Sequence, residues 1–371
     1  MISIDEDRLV NQFISFVKID SPSYEEAPFV SLLQKEISAL GLQVENDRTG
    51  KDGAGNLYSV LHGAERTIPP ILLCMHMDTV EPGRGIRPQL EAGRITSDGT
   101  TILGADNKSA VAACLEAVRF LKASCPRHGD VELLFTWGEE RGHQGAKAFD
   151  ISRVSARIGF VLDGEGPLGT IITRAPYYDS IRAVFLGRAA HSGIAPESGI
   201  NAIVMASRAI TRMTLGRVDE RTTANIGTIS GGSGRNTVPS RVEVEGEARS
   251  MAHESLKTQV RDMQMVMEDS ARELGGKLQV EIKREYNGFQ IGNDEAPVKI
   301  AETASRSVGL SPVITSTNGG SDGNEFNDRG IQTIVLGMGG HDYHSTRESM
   351  TVSQLVKLAE MISALVVESG R

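Results

Sequence analysis

One unbroken apolar run decides the fold: it reads Ile71-Leu72-Leu73-Cys74-Met75-His76-Met77-Asp78 and stops abruptly at polar side chains. Short continuous runs of this kind are typical of strands buried on both faces, as in a parallel sheet covered by helices. Side chains alternate along a strand, so His76 and Asp78 are expected to point to the same side. A carboxylate beside an imidazole is a common way to fix a metal-binding histidine.

Three further apolar runs end in the same way. They are residues 131–137 before Gly138-Glu139-Glu140, residues 158–162 before Asp163, and residues 333–336 before His341-Asp342-Tyr343-His344. In open α/β sheets, ligands bind beyond the carboxyl ends of the strands. Polar groups that follow four such strands are therefore expected to converge on one site, although they span most of the chain.

The composition is that of a globular protein large enough for two domains, with 371 residues. Net charge is -9, and no basic cluster occurs, so we expect neither a nucleic acid nor a membrane as partner. The first residues do not resemble a secretory signal, and no apolar stretch is long enough to span a bilayer. The cysteines number 3 and are scattered, as in a reducing compartment. We therefore predict a cytoplasmic protein.

Periodicity predicts most of the remaining elements. Helical spacing predicts helices over Asp5 to Val17, Glu25 to Leu40, Ser109 to Leu121, Ala296 to Val308 and Thr351 to Glu368. Ser23 is a candidate cap for the second helix, and Asp106 precedes the third, where the helix dipole favours a carboxylate. Leu42 to Glu45 and Asn56 to Leu61 are predicted strands.

The pattern changes after Asp163, where a separate domain is predicted. Its elements are a strand (Asp179 to Leu186), a helix (Asn201 to Met213), strands (Thr223 to Ile229, Thr237 to Arg249), a helix (Glu254 to Leu274) and a strand (Leu278 to Arg284). The order βαββαβ is typical of a ferredoxin-like sandwich. We therefore predict an α/β fold with a mixed, largely parallel sheet flanked by helices. It is formed by residues 1–176 and 287–371 and is interrupted by an inserted lid and dimerisation domain, residues 177–286.

Each polar group has an ordinary structural explanation when it is considered singly. A histidine at a strand end is often a hydrogen-bonded structural group, and Asp106 before a helix is often a cap. Together, however, five side chains would supply imidazoles and carboxylates suited to Zn²⁺ and sufficient for two ions: His76, Asp106, Glu140, Asp163 and His344. Glu139 is adjacent to a ligand yet left over, so it is the candidate general base. The pattern predicts a metal-dependent hydrolase.

Two other site motifs are excluded. Gly164-Glu165-Gly166-Pro167-Leu168-Gly169 matches the dinucleotide fingerprint G-x-G-x-x-G after a strand. That fingerprint requires a helix to begin there, whereas the following residues, to Thr173, favour an extended chain. No P-loop motif occurs, so a P-loop NTPase has no support.

The sequence resembles the di-zinc exopeptidase and deacylase family, which contains peptidase T, carboxypeptidases, dipeptidases and acyl-amino-acid deacylases. The matching segments follow the family's order through nearly the whole chain: residues 76–80, 104–108, 139–140, 163–164, 187–193 and 341–344. Asp163 stands where many carboxypeptidases and deacylases carry glutamate. This aspartate, with residues 98–108 and 223–227, resembles the peptidase T-like (aminotripeptidase-like) branch.

The resemblance implies a site for two divalent ions, most simply zinc, with cobalt or manganese as alternatives. His76, Asp106 and Asp163 would hold one ion, and Asp106 would bridge to a second ion held by Glu140 and His344. Asp78 would support His76. Glu139 would activate the bridging water and then protonate the leaving amine. The resemblance also implies a cis peptide bond after Asp106.

The resemblance further implies three substrate-binding residues in the inserted domain. His191 would reach the scissile carbonyl oxygen, often from the partner subunit of a dimer; a capping or surface histidine is the ordinary alternative. Asn236 and Arg249 match family substrate positions. An arginine there can clamp a substrate carboxylate, or it can be a surface salt-bridge residue.

These expectations combine into one prediction: a cytoplasmic di-zinc aminopeptidase that hydrolyses the N-terminal bond of short, tripeptide-like peptides and dimerises through the inserted domain. One alternative is a metal-dependent carboxypeptidase or N-acyl-amino-acid deacylase of the same family. Another is a non-catalytic metal-binding scaffold. The presence of Glu139 and Asp78 argues against the scaffold, which needs no base.

Overall fold

The computed structural model describes residues 2–371, and their contacts divide the chain into two compact units. The larger unit comprises the chain up to Arg174 together with Gln290–Arg371, and the inserted unit is Ala175–Phe289. Within residues 2–371, no helix combines the length and apolar character needed to cross a membrane.

The elements of the described residues are as follows. The strands are, in chain order, β1 (Val44–Asn46), β2 (Leu57–Leu61), β3 (Ile71–His76), β4 (Gln89–Glu91), β5 (Arg94–Thr96), β6 (Val131–Thr136), β7 (Ile158–Gly164), β8 (Thr170–Ala175), β9 (Tyr177–Leu186), β10 (Gly216–Arg217), β11 (Thr222–Gly231), β12 (Arg241–Ser250), β13 (Lys277–Tyr286), β14 (Phe289–Gln290), β15 (Val313–Ser316), β16 (Gln332–Gly337) and β17 (Ser349–Thr351). The α-helices are α1 (Glu6–Val17), α2 (Ala27–Ala39), α3 (Ala105–Ser124), α4 (Gln144–Ala148), α5 (Ala202–Arg212), α6 (His253–Glu273), α7 (Ala296–Ser307), α8 (Asp322–Asp328) and α9 (Val352–Ser369).

A mixed sheet forms the centre of the larger unit, with the order β1-β2-β6-β3-β7-β16-β8-β14 and with β15 paired to β8. The four predicted apolar runs are β3, β6, β7 and β16; they are neighbours in the sheet and parallel. Antiparallel pairing of β2 with β6 and of β16 with β8 makes the sheet mixed. Every residue of β3 and β6 is buried, which explains their unbroken apolar character. The predicted fold class is confirmed.

Helices pack on this sheet and on one another. α3 contacts β3, β7, α1 and α9, and α8 contacts β7 and β16. The start of α2 differs from the prediction, because Ser23 is not its cap. The helix begins at Ala27, with Pro28 in its first turn, and the Ser23 hydroxyl instead donates to the Asp78 carboxylate at 2.7 Å.

The segment Gly164–Gly169 joins β7 directly to β8, so no helix begins at the dinucleotide-like motif. A small sheet of the order β17-β5-β4 was not predicted. It pairs residues 94–96 with residues 349–351 and thereby ties the segment after His344 to the chain before Asp106.

The inserted unit has its own antiparallel sheet, of the order β10-β11-β12-β9-β13, against which α5 and α6 pack. The predicted βαββαβ order is present, with the two-residue β10 in addition. The predicted strand begins at Thr237, whereas β12 begins only at Arg241. The register pairs Arg241 with Leu186 and Arg249 with Tyr178, so the two ends of β12 lie at opposite ends of the sheet.

Candidate metal centre

Predicted ligands from several strand ends meet within the larger unit. His76 is the last residue of β3, Asp163 lies near the end of β7, and Glu140 lies in the 3-10 turn that follows β6. Gly138 turns the chain there with a φ of 58°, in the left-handed region that favours glycine. This arrangement matches the convergence predicted from the apolar runs.

His76 is almost fully buried, and both of its ring nitrogens face acceptors. Nδ1 lies 3.0 Å from the Asp78 backbone oxygen and 3.3 Å from Asp78 Oδ1. In the neutral ring, an N–H at Nδ1 donated to that carbonyl leaves the lone pair at Nε2. Nε2 lies 3.0 Å from Asp106 Oδ1 and 3.4 Å from Asp163 Oδ1. The ring therefore presents its donor atom to two of the other predicted ligands.

Asp106 lies between two histidines. Its Oδ1 faces His76, and its Oδ2 lies 3.2 Å from His344 Nε2, which is also 2.8 Å from Glu140 Oε1. The Asp106-Asn107 peptide bond is cis, as expected. One carboxylate thus connects the two predicted halves of the centre.

The residues present fit divalent ions. Ligand-type atoms lie within 4.8 Å of one another in two groups, His76 with Asp106 and Glu140, and His76 with Glu139 and Asp163. Imidazole nitrogens and carboxylate oxygens are the donors that Zn²⁺ and its first-row neighbours prefer. These groups differ from the two ligand sets implied by the resemblance, so the division of ligands between two ions stays a prediction.

The cluster holds protons that a cation would displace. Burial, with the negative charge of Asp106 in addition, raises the pKa of Asp163 to about 8. Hydrogen bonds to Asp106 and Glu140 raise the pKa of His344 to about 11. Burial also raises the pKa of Glu139 well above its ordinary value.

Metal affinity is therefore expected to rise with pH. A carboxyl with a pKa of about 8 and an imidazolium with a pKa of about 11 are protonated at pH 6, and a metal must displace both protons. Apparent affinity should increase by about tenfold per pH unit for each displaced proton. Titration calorimetry of the metal-free protein with Zn²⁺ between pH 6 and 8 measures this slope. Asp163→Asn should reduce this slope by the contribution of one displaced proton. A pH-independent affinity of the wild type would contradict the expectation.

Asp78 supports more than His76. Its Oδ1 accepts the backbone N–H of Glu139 at 2.9 Å, and its Oδ2 accepts that of Glu140 at 3.2 Å. The Ser23 hydroxyl donates to the same carboxylate. Asp78 is fully buried, so this one side chain fixes both the first histidine and the turn that carries Glu139 and Glu140.

Glu348 is a supporting residue that the sequence analysis missed. Its carboxylate accepts the backbone N–H groups of Leu103, Gly104 and Asp106 at 2.8, 2.7 and 3.0 Å. The side chain is 1% exposed. The pairing of β17 with β5 brings it there, and no local pattern in the sequence indicates such a distant contact. Glu348 holds the loop that presents Asp106.

His191 and Asn236 lie in neighbouring loops of the inserted unit. His191 Nδ1 accepts the backbone N–H groups of Gly193 and Ile194, each at 3.2 Å. Nδ1 is therefore unprotonated, and the ring hydrogen lies at Nε2. The backbone oxygen of Asn236 accepts the N–H of Ser192 at 3.0 Å. The structure thus brings these two predicted substrate-binding residues together.

Arg249 lies elsewhere in the inserted unit. Its guanidinium bonds both oxygens of Glu247, at 3.1 and 3.0 Å, and lies 4.5 Å from the centre of the Tyr178 ring. Residues two apart on a strand share a face, which explains the pair with Glu247. Arg249 is at the end of β12 opposite to the loops of His191 and Asn236. Its predicted role as a carboxylate clamp stays a prediction.

Two solved structures with 40% sequence identity cover nearly the whole chain. One is a tripeptidase of Staphylococcus aureus, with a TM-score of 0.95 over 99% of each chain. The other is the aminopeptidase PepT of Bacillus cereus, with a TM-score of 0.91 over 99% of this chain and 100% of that one. The predicted resemblance to the peptidase T-like branch is confirmed.

A more distant structure shares the fold. It is a dinuclear metal-binding peptidase of Bacillus subtilis from the M20 family, 17% identical, with a TM-score of 0.73 over 98% of this chain and 97% of that one. The model of peptidase family M20/M25/M40 matches residues 72–368. This match spans most of the larger unit and all of the inserted one. The chain therefore belongs to peptidase family M20/M25/M40.

Proposed function

We propose that this protein is a cytoplasmic zinc-dependent aminopeptidase that removes the N-terminal residue from short, tripeptide-like substrates. The observation that carries the proposal is the meeting of His76, Asp106, Glu140, Asp163 and His344 within one cluster, with Glu139 beside them. The aminopeptidase and the tripeptidase with 40% identity support the reaction and the substrate class. The dinuclear peptidase of the same fold supports the use of two ions.

The five ligands would hold two zinc ions. Bound there, the ions would polarise the scissile carbonyl and lower the pKa of a water molecule. The chain's own contribution is to orient the ligands. Asp78 fixes the ring of His76, and Glu348 fixes the backbone of Asp106. Such supporting contacts commonly affect metal affinity or activity by about 10–100-fold.

Glu139 is proposed as the general base. Its carboxylate would accept a proton from the attacking water and pass it to the leaving amine, so it ends the cycle unprotonated. The residue is 7% exposed, and burial raises the pKa of its carboxyl, which makes it a better proton acceptor than an exposed glutamate. Its backbone N–H is fixed by Asp78.

His191 is proposed as the donor to the scissile carbonyl oxygen. Two backbone N–H groups occupy its Nδ1, so the hydrogen at Nε2 is directed outwards from the loop. A fixed N–H donor of this kind stabilises the negative charge that develops on the oxygen in the transition state.

A dimer follows if His191 and Arg249 bind the same small peptide. Arg241, near the His191 loop, and Arg249 are eight residues apart on one strand. Eight residues of strand span roughly 26 Å, whereas an extended tripeptide spans about 10 Å. One chain cannot supply both contacts to one tripeptide, so a second copy would supply one of them. A protein that is monomeric by analytical ultracentrifugation and yet fully active would contradict this arrangement.

Selectivity for a free amino terminus tests the proposed function. The Zn²⁺-loaded enzyme is expected to cleave a tripeptide with kcat/KM about 100-fold higher than the same tripeptide N-acetylated, because a site built for an ammonium group discriminates strongly against its loss. Amino acid release measured by mass spectrometry gives both rates. Preference for the acetylated peptide would indicate a deacylase or carboxypeptidase instead. No turnover of either peptide with two ions bound would indicate a scaffold.

A further inference from the structure

A buried histidine, His143, lies beside Glu139. Neither the proposed metal binding nor the proposed substrate recognition uses it. His143 is 4% exposed, and its Nε2 lies 3.5 Å from Glu139 Oε1. Its Nδ1 lies 3.3 Å from Glu325 Oε1. A carboxylate oxygen only accepts, so a ring nitrogen of His143 binds either carboxylate as a hydrogen-bond donor. The ring therefore connects the carboxylate of Glu139 with a second carboxylate from a distant part of the chain.

The backbone between the two residues folds back on itself. Gly142 and His143 both have left-handed conformations, with φ of 90° and 58°. The His143 N–H donates to the Glu139 carbonyl at 2.8 Å. This turn directs the imidazole towards the side chain four positions earlier. A non-glycine residue in this region of φ is uncommon.

Glu325 is itself held in place. It lies on α8, and Lys147 Nζ of α4 is 3.8 Å from its Oε1. The Arg329 guanidinium donates to the backbone oxygens of Phe149 and Ala146, which fastens the end of α8 to α4. The partner of His143 is therefore fixed by contacts that do not involve the metal ligands.

We propose that His143, oriented by Glu325, is a positioning residue for the Glu139 carboxylate. Asp78 fixes the backbone of Glu139, which leaves the side-chain torsions unrestrained from that side. Contact with His143 restricts the carboxylate to one orientation. Pre-orientation of a base lowers the entropy cost of reaching the transition state. The inference rests on the proposed role of Glu139 as the base.

A merely structural histidine would behave differently on substitution. It would lower thermal stability or metal content, and its effect would not depend on the side chain at residue 139. A positioning residue should lower kcat and leave KM and the metal content unchanged, because its contact matters in the transition state rather than in substrate binding.

The test compares variants of His143 in the zinc-loaded enzyme. His143→Leu is expected to lower kcat about 10–100-fold, with KM within about twofold of the wild type and two ions retained. His143→Gln, which keeps an N–H donor, should recover to within about fivefold of the wild type. Glu325→Leu should also lower kcat. His128→Leu is the matched control, since His128 is also buried and its Nδ1 lies 2.6 Å from the backbone oxygen of the adjacent Gly129.

A double-variant cycle separates positioning from general damage. Glu139→Asp withdraws the carboxylate by one methylene group and breaks the contact with His143. In that background, His143→Leu should lower kcat by less than about twofold. Multiplicative losses, or an unchanged kcat in the single variant, would overturn the inference.

The same assays distinguish this inference from the proposed function. A wild-type enzyme without peptidase activity, or one indifferent to Glu139→Gln, defeats both. An enzyme that is active and sensitive to Glu139→Gln, yet indifferent to His143→Leu and to Glu325→Leu, defeats the inference alone.

Discussion

The Glu139→Gln variant is expected to lose about 10²–10⁴-fold in kcat on a free tripeptide, the usual contribution of a general base. Glutamine keeps the length and shape of the side chain but cannot take a proton from water. The Asp78 bond to the backbone N–H of residue 139 remains, so the turn should be unchanged. Metal content and KM should therefore stay near the wild-type values. Steady-state kinetics with the metal content measured in parallel give the result.

A second buried glutamate supplies the control for this variant. Glu116 is 1% exposed, lies on α3 and bonds the Arg8 guanidinium. Glu116→Gln should lower the melting temperature but leave kcat unchanged. A loss of less than about tenfold in Glu139→Gln would remove the residue from the role of base.

Asp106→Ala is expected to lose at least one metal ion and to lower kcat/KM by more than about 100-fold, beyond the usual effect of supporting residues. The reason is that its two oxygens face different histidines, so one substitution removes a ligand atom from each half of the centre. Elemental analysis after dialysis measures the stoichiometry. Thermal unfolding with and without Zn²⁺ measures the linked stabilisation, about 2.7 kcal/mol for the wild type at a metal concentration of 100 Kd.

Asp150 provides the matched control for Asp106. It is exposed and caps a short turn by accepting the Ser152 N–H at 3.1 Å. Asp150→Ala should bind two ions and retain wild-type turnover. An Asp106→Ala protein with two tightly bound ions would refute the bridging role and would leave the identity of the other ligands open to direct test.

The sequence predicts the fold of the larger unit through its fully apolar strands rather than through the exact spacing of its polar residues. Strands covered on both faces must be apolar throughout, so the runs ending at His76, Glu139 and Asp163 were visible without any structure. Their polar ends could be assigned to one site because parallel strands end at the same edge. Predicted helices agree to within a few residues, since each has a periodic apolar face.

The supporting contacts could not be predicted in the same way. Glu348 bonds backbone groups more than two hundred positions away, and His143 meets Glu325 across two short helices that show no periodic pattern. Ser23 has the residue type and the position of a helix cap, yet its hydroxyl donates to the Asp78 carboxylate. Local preference identifies the type of an element, whereas these partners depend on how separate elements pack.

The position of β16 has a consequence for synthesis of the chain. This strand lies between β7 and β8 but is translated after the whole inserted unit. At about 5–20 residues per second, the interval from Gly164 to Gln332 lasts roughly 8–34 s. The nascent chain therefore carries an incomplete sheet with an open gap while the inserted unit has already emerged. Because His344 follows β16, this proposed ligand is the last of the five to be synthesised, so the metal centre cannot be completed before β16 has been made.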